Sequence, residues 1–205
     1  MKYTTAVLCL ASATLSLAAP TTTTTTTTKA VSACDSHAWA GFAVPSIIKN
    51  HDIASNLNTQ DVQTATVRNG NAETSTLYEI PIPASAAGRT CALVIRAARL
   101  GAGDNVLGEQ AMDVFRNGFT DLASLPAGNL RDAQLARVRF DAASGFYAFD
   151  KVGFANPAVE AFPCPAGQTL HWESVAVGEF DVNVIRQDFW VDGANVPNGL
   201  SVGWW

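Results

Sequence analysis

The side chains of this sequence that could do chemistry are its carboxylates, three histidines, five tryptophans and four cysteines. Glycoside hydrolysis needs two carboxylates facing each other across a cleft, one of them holding its proton at neutral pH. Glu173 with Glu179, or Asp181 with Asp188, could be placed that way, although an acidic chain offers many such pairs and the pattern is unspecific. His37, His51 and His171 are scattered, with no His-Glu-x-x-His and no Cys-x-x-Cys, so zinc has no local scaffold and the histidines read as surface residues. There is no Gly-x-Ser-x-Gly elbow to present a serine nucleophile. Gly101-Ala-Gly103 imitates the start of a dinucleotide fingerprint, but Val106 stands where the third glycine belongs and no strand–helix alternation follows, so it reads as a turn. Asp104-Asn105 and Asp192-Gly193-Ala194-Asn195 carry oxygen ligands without the spacing of a calcium loop and also read as turns. No cofactor or metal is expected.

The tryptophans are more informative. An indole can stack on a sugar ring or fill a core. Trp172 alternates with His171 and Glu173 and is expected in the core, while Trp39 opens the folded region. Trp190, Trp204 and Trp205 are the candidate ligand contacts. The Trp204-Trp205 pair either closes a sandwich as its last strand, the reading preferred here, or forms an exposed, sticky edge.

The elements that must position these groups read as β throughout. Residues 62–68 alternate, Asn69-Gly70-Asn71 signals a turn, and residues 74–82 return, giving the best-defined hairpin of the chain. On the returning arm Thr76, Tyr78, Ile80 and Ile82 share one face, Leu77 and Glu79 the other, and Pro81 and Pro83 end it. Cys91-Ala-Leu-Val-Ile95 is apolar on both faces, as a central strand would be. Residues 137–140 and 146–154 flank a turn at 141–145. Residues 169–177 alternate with Leu170 and Trp172 inward and His171 and Glu173 outward, and residues 182–191 form a further run. Residues 105–119 are ambiguous, and residues 122–136 have room for one helical turn. Eight to ten short strands with frequent breaks predict an all-β fold: one antiparallel, jelly-roll-like β-sandwich.

The first eighteen residues have the organisation of an export signal: Lys2, an apolar run over residues 6–17, and small residues before Ala19. That run is shorter than the roughly 20 apolar residues a membrane span needs, and no later segment is long and apolar enough to serve as an anchor. Residues 19–36, with eight consecutive threonines, have no apolar face to bury. They read as a disordered, solvated stalk open to O-linked glycan, and residues 37–205 as the globular domain. Loss of the leader removes one of 13 basic residues and none of the 18 acidic ones, which disfavours nucleic acid and anionic membrane as partners. Cys9 leaves with the leader. Cys34, Cys91 and Cys164 then amount to one pair and one remainder in an oxidising compartment. Cys91 heads an apolar run and Cys164 precedes a turn, positions that suit a staple between β elements, whereas Cys34 lies beside the stalk.

Three stretches resemble a known family: Ile82-Pro-Ala-Ser-Ala-Ala-Gly-Arg-Thr-Cys-Ala-Leu-Val94, Phe162-Pro-Cys-Pro-Ala-Gly-Gln168, and Gln187-Asp188 with Pro197-Asn-Gly-Leu200. The family is the But-two (Uba-three-binding protein) C-terminal domain of fungal proteins, many of them secreted with a Ser/Thr-rich region. The resemblance covers the chain from about Trp39 onward. It implies a β-sandwich, supports a Cys91–Cys164 pair, and carries over no catalytic residue. The ending Ser-Val-Gly-Trp-Trp departs from the family in lacking a terminal cysteine. The export signal runs against the intracellular role suggested by the family's name. The functional expectation is a secreted, non-catalytic binding module, held at cell-wall polysaccharide or on an extracellular protein. A small polysaccharide hydrolase and an effector-type protein-binding module are the alternatives.

Overall fold

A computed structural model describes residues 39–98, 103–106, 110–178, 182–187 and 196–205. Thirteen strands run through them: β1 (Gly41–Ala43), β2 (Ile47–Asp52), β3 (Leu57–Asn58), β4 (Thr64–Val67), β5 (Thr74–Pro81), β6 (Thr90–Arg96), β7 (Ala111–Asn117), β8 (Arg131–Asp141), β9 (Phe146–Phe149), β10 (Phe162–Pro163), β11 (Thr169–Val177), β12 (Asn183–Arg186) and β13 (Gly199–Trp204). The one helical piece among them is a short 3-10 turn, Ala84–Ala86, directly after the prolines that end β5.

Eleven strands form one antiparallel sheet in the order β1-β13-β6-β9-β8-β7-β11-β5-β2-β3, with β10 added beside β6. A twisted sheet of this width does not stay open. Here it curls until its two halves face each other. A single apolar cluster takes Leu93 and Ile95 from β6, Leu200 and Val202 from β13, Met112 and Val114 from β7, and Tyr78, Ile80 and Trp172 from β5 and β11. A second sheet, β4 with β12, adds Ala65, Val67 and Ile185 to the same core. The fold is the expected all-β antiparallel sandwich.

Several expectations hold residue by residue. Strand β5 turns Tyr78 and Ile80 to the main core and Leu77 to the other face, where it packs with Phe119 and Leu122. Strand β6 is buried on both faces between β13 and β9/β10. The turn at 141–145 joins β8 to β9, with Asp141 opposite Phe146.

Others need correction. The turn at Asn69-Gly70 reverses the chain, but Arg68 and Thr74 form only an isolated bridge. Beyond it β4 leaves to pair with β12, while β5 takes β2 and β11 as neighbours. The Thr76 hydroxyl fills the resulting gap: it accepts from the Thr66 amide at 2.9 Å and lies 2.9 Å from Asn50 Oδ1. No helix forms within residues 122–136: a tight turn at Leu122–Leu125 gives way to β8 at Arg131. The ambiguous stretch resolves into β7.

Polar side chains tie the strand ends together. Asp104, almost wholly buried, accepts from the amides of Ala98 (2.6 Å) and Arg186 (2.8 Å) and from Asn198 Nδ2 (3.0 Å). Gln187 stands in for a strand at Leu200, accepting from its amide at 2.9 Å and donating to its carbonyl at 2.6 Å. Gly199 must be glycine here, because its φ is +84° and a Cβ would strike the Gln187 amide.

A disulfide joins Cys91 of β6 to Cys164, just past β10, across 73 residues of chain. No described helix is long and apolar enough to cross a membrane. Replacing both cysteines, Cys91→Ala with Cys164→Ala, is expected to lower the unfolding free energy by roughly 4 kcal/mol on the loop-entropy argument. A urea melt of the double variant against the oxidised protein measures it, and an unchanged midpoint would contradict the assignment.

Candidate functional site

The carboxylate reading is settled first at Glu173. Its strand face was expected to meet solvent; instead Glu173 is fully buried. Residues 118–130 fold over that face and cover it. Five donors converge on the carboxylate: Ser75 Oγ at 2.6 Å, Asn117 Nδ2 at 3.2 Å, Asn129 Nδ2 at 3.1 Å, and Arg131 through Nε at 2.9 Å and Nη2 at 2.8 Å. Burial pushes the carboxyl up, but the bonds from Arg131, Ser75 and Asn117 outweigh it and hold the group below its usual range. A general acid for glycoside cleavage needs the opposite shift and an open path to substrate, so Glu173 is a structural clamp. Glu179, its partner in the hydrolase reading, and the alternative pair Asp181 and Asp188 lie outside the described residues.

The histidines are likewise not surface groups where described. His51 is buried, with Nδ1 2.7 Å from Asn58 Oδ1. His171 packs tilted against Phe119 with ring centroids 4.7 Å apart, and its Nε2 lies 3.6 Å from Glu79 Oε2. His37, Cys34 and the loop at 192–195 fall outside the described residues, as does Trp190. Among the described residues no three His, Cys, Asp or Glu side chains come together as a metal would need.

The tryptophan pair divides its labour. Trp204 ends β13, which lies between β1 and β6, and its indole is buried against the main core. Its neighbour across the ladder is Gly41, where any Cβ would collide with the indole. One residue earlier, Gly203 leaves the same kind of space on the outer face, and the Trp39 ring occupies it. Around Trp39 lie Phe42, with centroids 5.4 Å apart, and Trp205, edge-on at 5.2 Å and 76°. Trp205 is 41% exposed. Period-two alternation produces the split: Trp204 points in, while Gly203 and Trp205 point out.

Trp205 and Thr90 exchange both backbone hydrogen bonds, at 3.1 and 3.3 Å. Thr90 in turn lines an open recess of about 510 Å³ with Arg89, Phe162, Pro163 and Cys164. The outer face at this end of the sheet therefore offers an exposed indole backed by two half-buried aromatics, and the exposed Arg89 directly precedes its backbone partner Thr90 in the chain. The contribution of Phe42 was not legible in the sequence, because it follows from the Phe42–Gly203 register and not from local spacing. No family model matches the chain, and no curated protein matches it.

Glu173→Gln is expected to destabilise the fold by about 3 kcal/mol, the low end for breaking a buried ion pair, since Arg131 keeps partial access to water. Because the native carboxyl is held below its usual 4.5, its contribution is present above that pH and fades as pH falls. Denaturant melts from pH 7 to pH 3 should show the two proteins converging below about pH 4.5. A constant gap would sink the assignment.

Proposed function

We propose that this chain is an exported, non-catalytic β-sandwich that binds polysaccharide of a cell wall or extracellular matrix through the Trp39–Phe42–Trp205 face. The exposure of Trp205, edge-on to a second indole and bonded through its backbone to Thr90, which lines a recess together with Arg89, is the observation that carries the reading. A planar indole offers its face to the C–H groups of a sugar ring, and a neighbouring guanidinium supplies donors to its hydroxyls. The acidic groups favour a structural role: Arg131 holds Glu173, Arg137 holds Asp113 at 2.7 Å, and Arg139 holds Asp150 at 3.1 Å. The leader and threonine tract deliver and tether such a module, and the disulfide suits an oxidising compartment. Membership of the But-two C-terminal domain family, on the stretches quoted above, belongs to the same proposal.

The test is retention of the mature protein on insoluble glucan, chitin and mannan. Wild type should be retained on at least one, and Trp205→Ala should abolish retention while leaving the thermal midpoint unchanged. Trp204→Ala should instead lower the unfolding free energy by about 3–5 kcal/mol, as for a large buried side chain. Equal retention of wild type and Trp205→Ala, or none by either, would overturn the proposal.

A further inference from the structure

Residues 118–130 form a closed loop whose ends meet: the Gly118 amide donates to the Leu130 carbonyl at 2.8 Å. Compact loops of this length with touching ends are Ω-loops. This one lies over the outer face of β2, β5 and β11, on the half of the sheet remote from Trp205 along the strand order. Phe119 and Leu122 plug into that face against Leu77. Polar bonds from the floor hold the backbone of the loop. Glu79 Oε2 accepts from the Leu122 amide at 2.9 Å, and Lys49 Nζ donates to the Ala123 carbonyl at 2.9 Å. Asn58 Nδ2 donates to the carbonyls of Leu125 and Gly128 at 3.1 and 2.9 Å.

Two features work against closure. Leu130, at the hinge, has φ +48°, a left-handed conformation that is costly for a bulky side chain, and it is 56% exposed, so little packing repays the strain. Beneath the loop, His171 Nε2 is buried without a hydrogen-bond partner, pressed under Phe119 and just beyond bonding distance of Glu79. A neutral imidazole tolerates that position far better than a charged one.

We propose that residues 118–130 are an acid-opened lid, triggered by protonation of His171. The charged groups acting on the ring are Glu79 from β5 and Asp121 from the loop itself; Lys49 of β2 is bonded to the loop at Ala123, and the Glu173–Arg131 pair lies two residues further along β11. Glu79 and Asp121 favour the imidazolium, but burial is larger and sets the net direction, holding the His171 group below its usual 6.5. With the lid open the ring is solvated and titrates near 6.5. The open form therefore binds the proton more tightly. Closure is fully favoured above pH 6.5 and weakens as pH falls below it. Asp121, whose carboxyl is held low by bonds from Ser124 and Ala123, contributes only in much stronger acid.

Amide hydrogen exchange of the full folded chain at pH 7.5 and pH 5.0, corrected for intrinsic rates, reads lid opening directly. Peptides spanning residues 119–126 should open about threefold or more often at the lower pH, while peptides of β6 stay unchanged. His171→Gln, or His171→Phe should the first variant fold poorly, removes the difference between the two pH values. The His171 imidazole resonance in wild type should titrate below 6.5. Equal exchange at both pH values, titration of His171 above 6.5, or a pH effect surviving in both variants would overturn the proposal.

Discussion

Everything in this molecule hangs on the ladder between β6 and β13. A sheet this wide must either expose its edges or curl, and curling succeeds only if the last strand finds a buried place. Strand β13 finds it between β1 and β6, with Gly199 opposite Arg96 and Trp204 opposite Cys91. The same strand β6 receives β9, β10 and the disulfide. Strand β13 is thus an interior strand, one in from the β1 edge, and not an appendage. Asp104 and Gln187 reinforce the seam by satisfying backbone groups where the ladder stops, since a buried amide or carbonyl left unpaired is expensive.

How much of this was readable from residues alone depended on the range of the interaction. Alternation within one strand is local, so the faces of Tyr78, Ile80 and Leu77, the double burial of β6 and the core position of Trp172 were all legible. Which strand pairs with which is not local. The Asn69-Gly70 turn looked like a plain hairpin because nothing in residues 62–82 announces that β4 prefers β12. Glu173 looked solvated for a similar reason. Alternation assigns it to the face opposite Trp172, but it cannot say that residues 118–130 cover that face. The signals were present in Arg131, Asn117 and Asn129, whose donors need an acceptor, though they lie more than 40 residues away in sequence.

The two faces of the sandwich show different uses of polar chemistry. On the β2–β5–β11 side, charged and amide groups are sequestered beneath a loop, and Glu79, Lys49, Asn58 and Asn117 make bonds that fix the backbone above them. On the β1–β13–β6 side, the outer surface is aromatic and open, and it is shaped by a missing atom: Gly203 carries no side chain, so the Trp39 indole lies directly on the backbone. Rigidity there comes from close packing on the backbone together with the backbone bonds between Trp205 and Thr90. An aromatic surface set this way loses little conformational freedom when something settles on it.

The edge-on pair Trp39 and Trp205, with centroids 5.2 Å apart, also has an optical consequence. Two indoles at that separation couple their electronic transitions, so the folded protein carries its own chromophoric pair in the near and far ultraviolet. Because one ring sits in a slot above Gly203 and the other faces water, an event that turns the Trp205 ring changes its transition dipole against a fixed reference. The molecule is in that sense its own spectroscopic probe, and its circular dichroism reports on the aromatic face without a label.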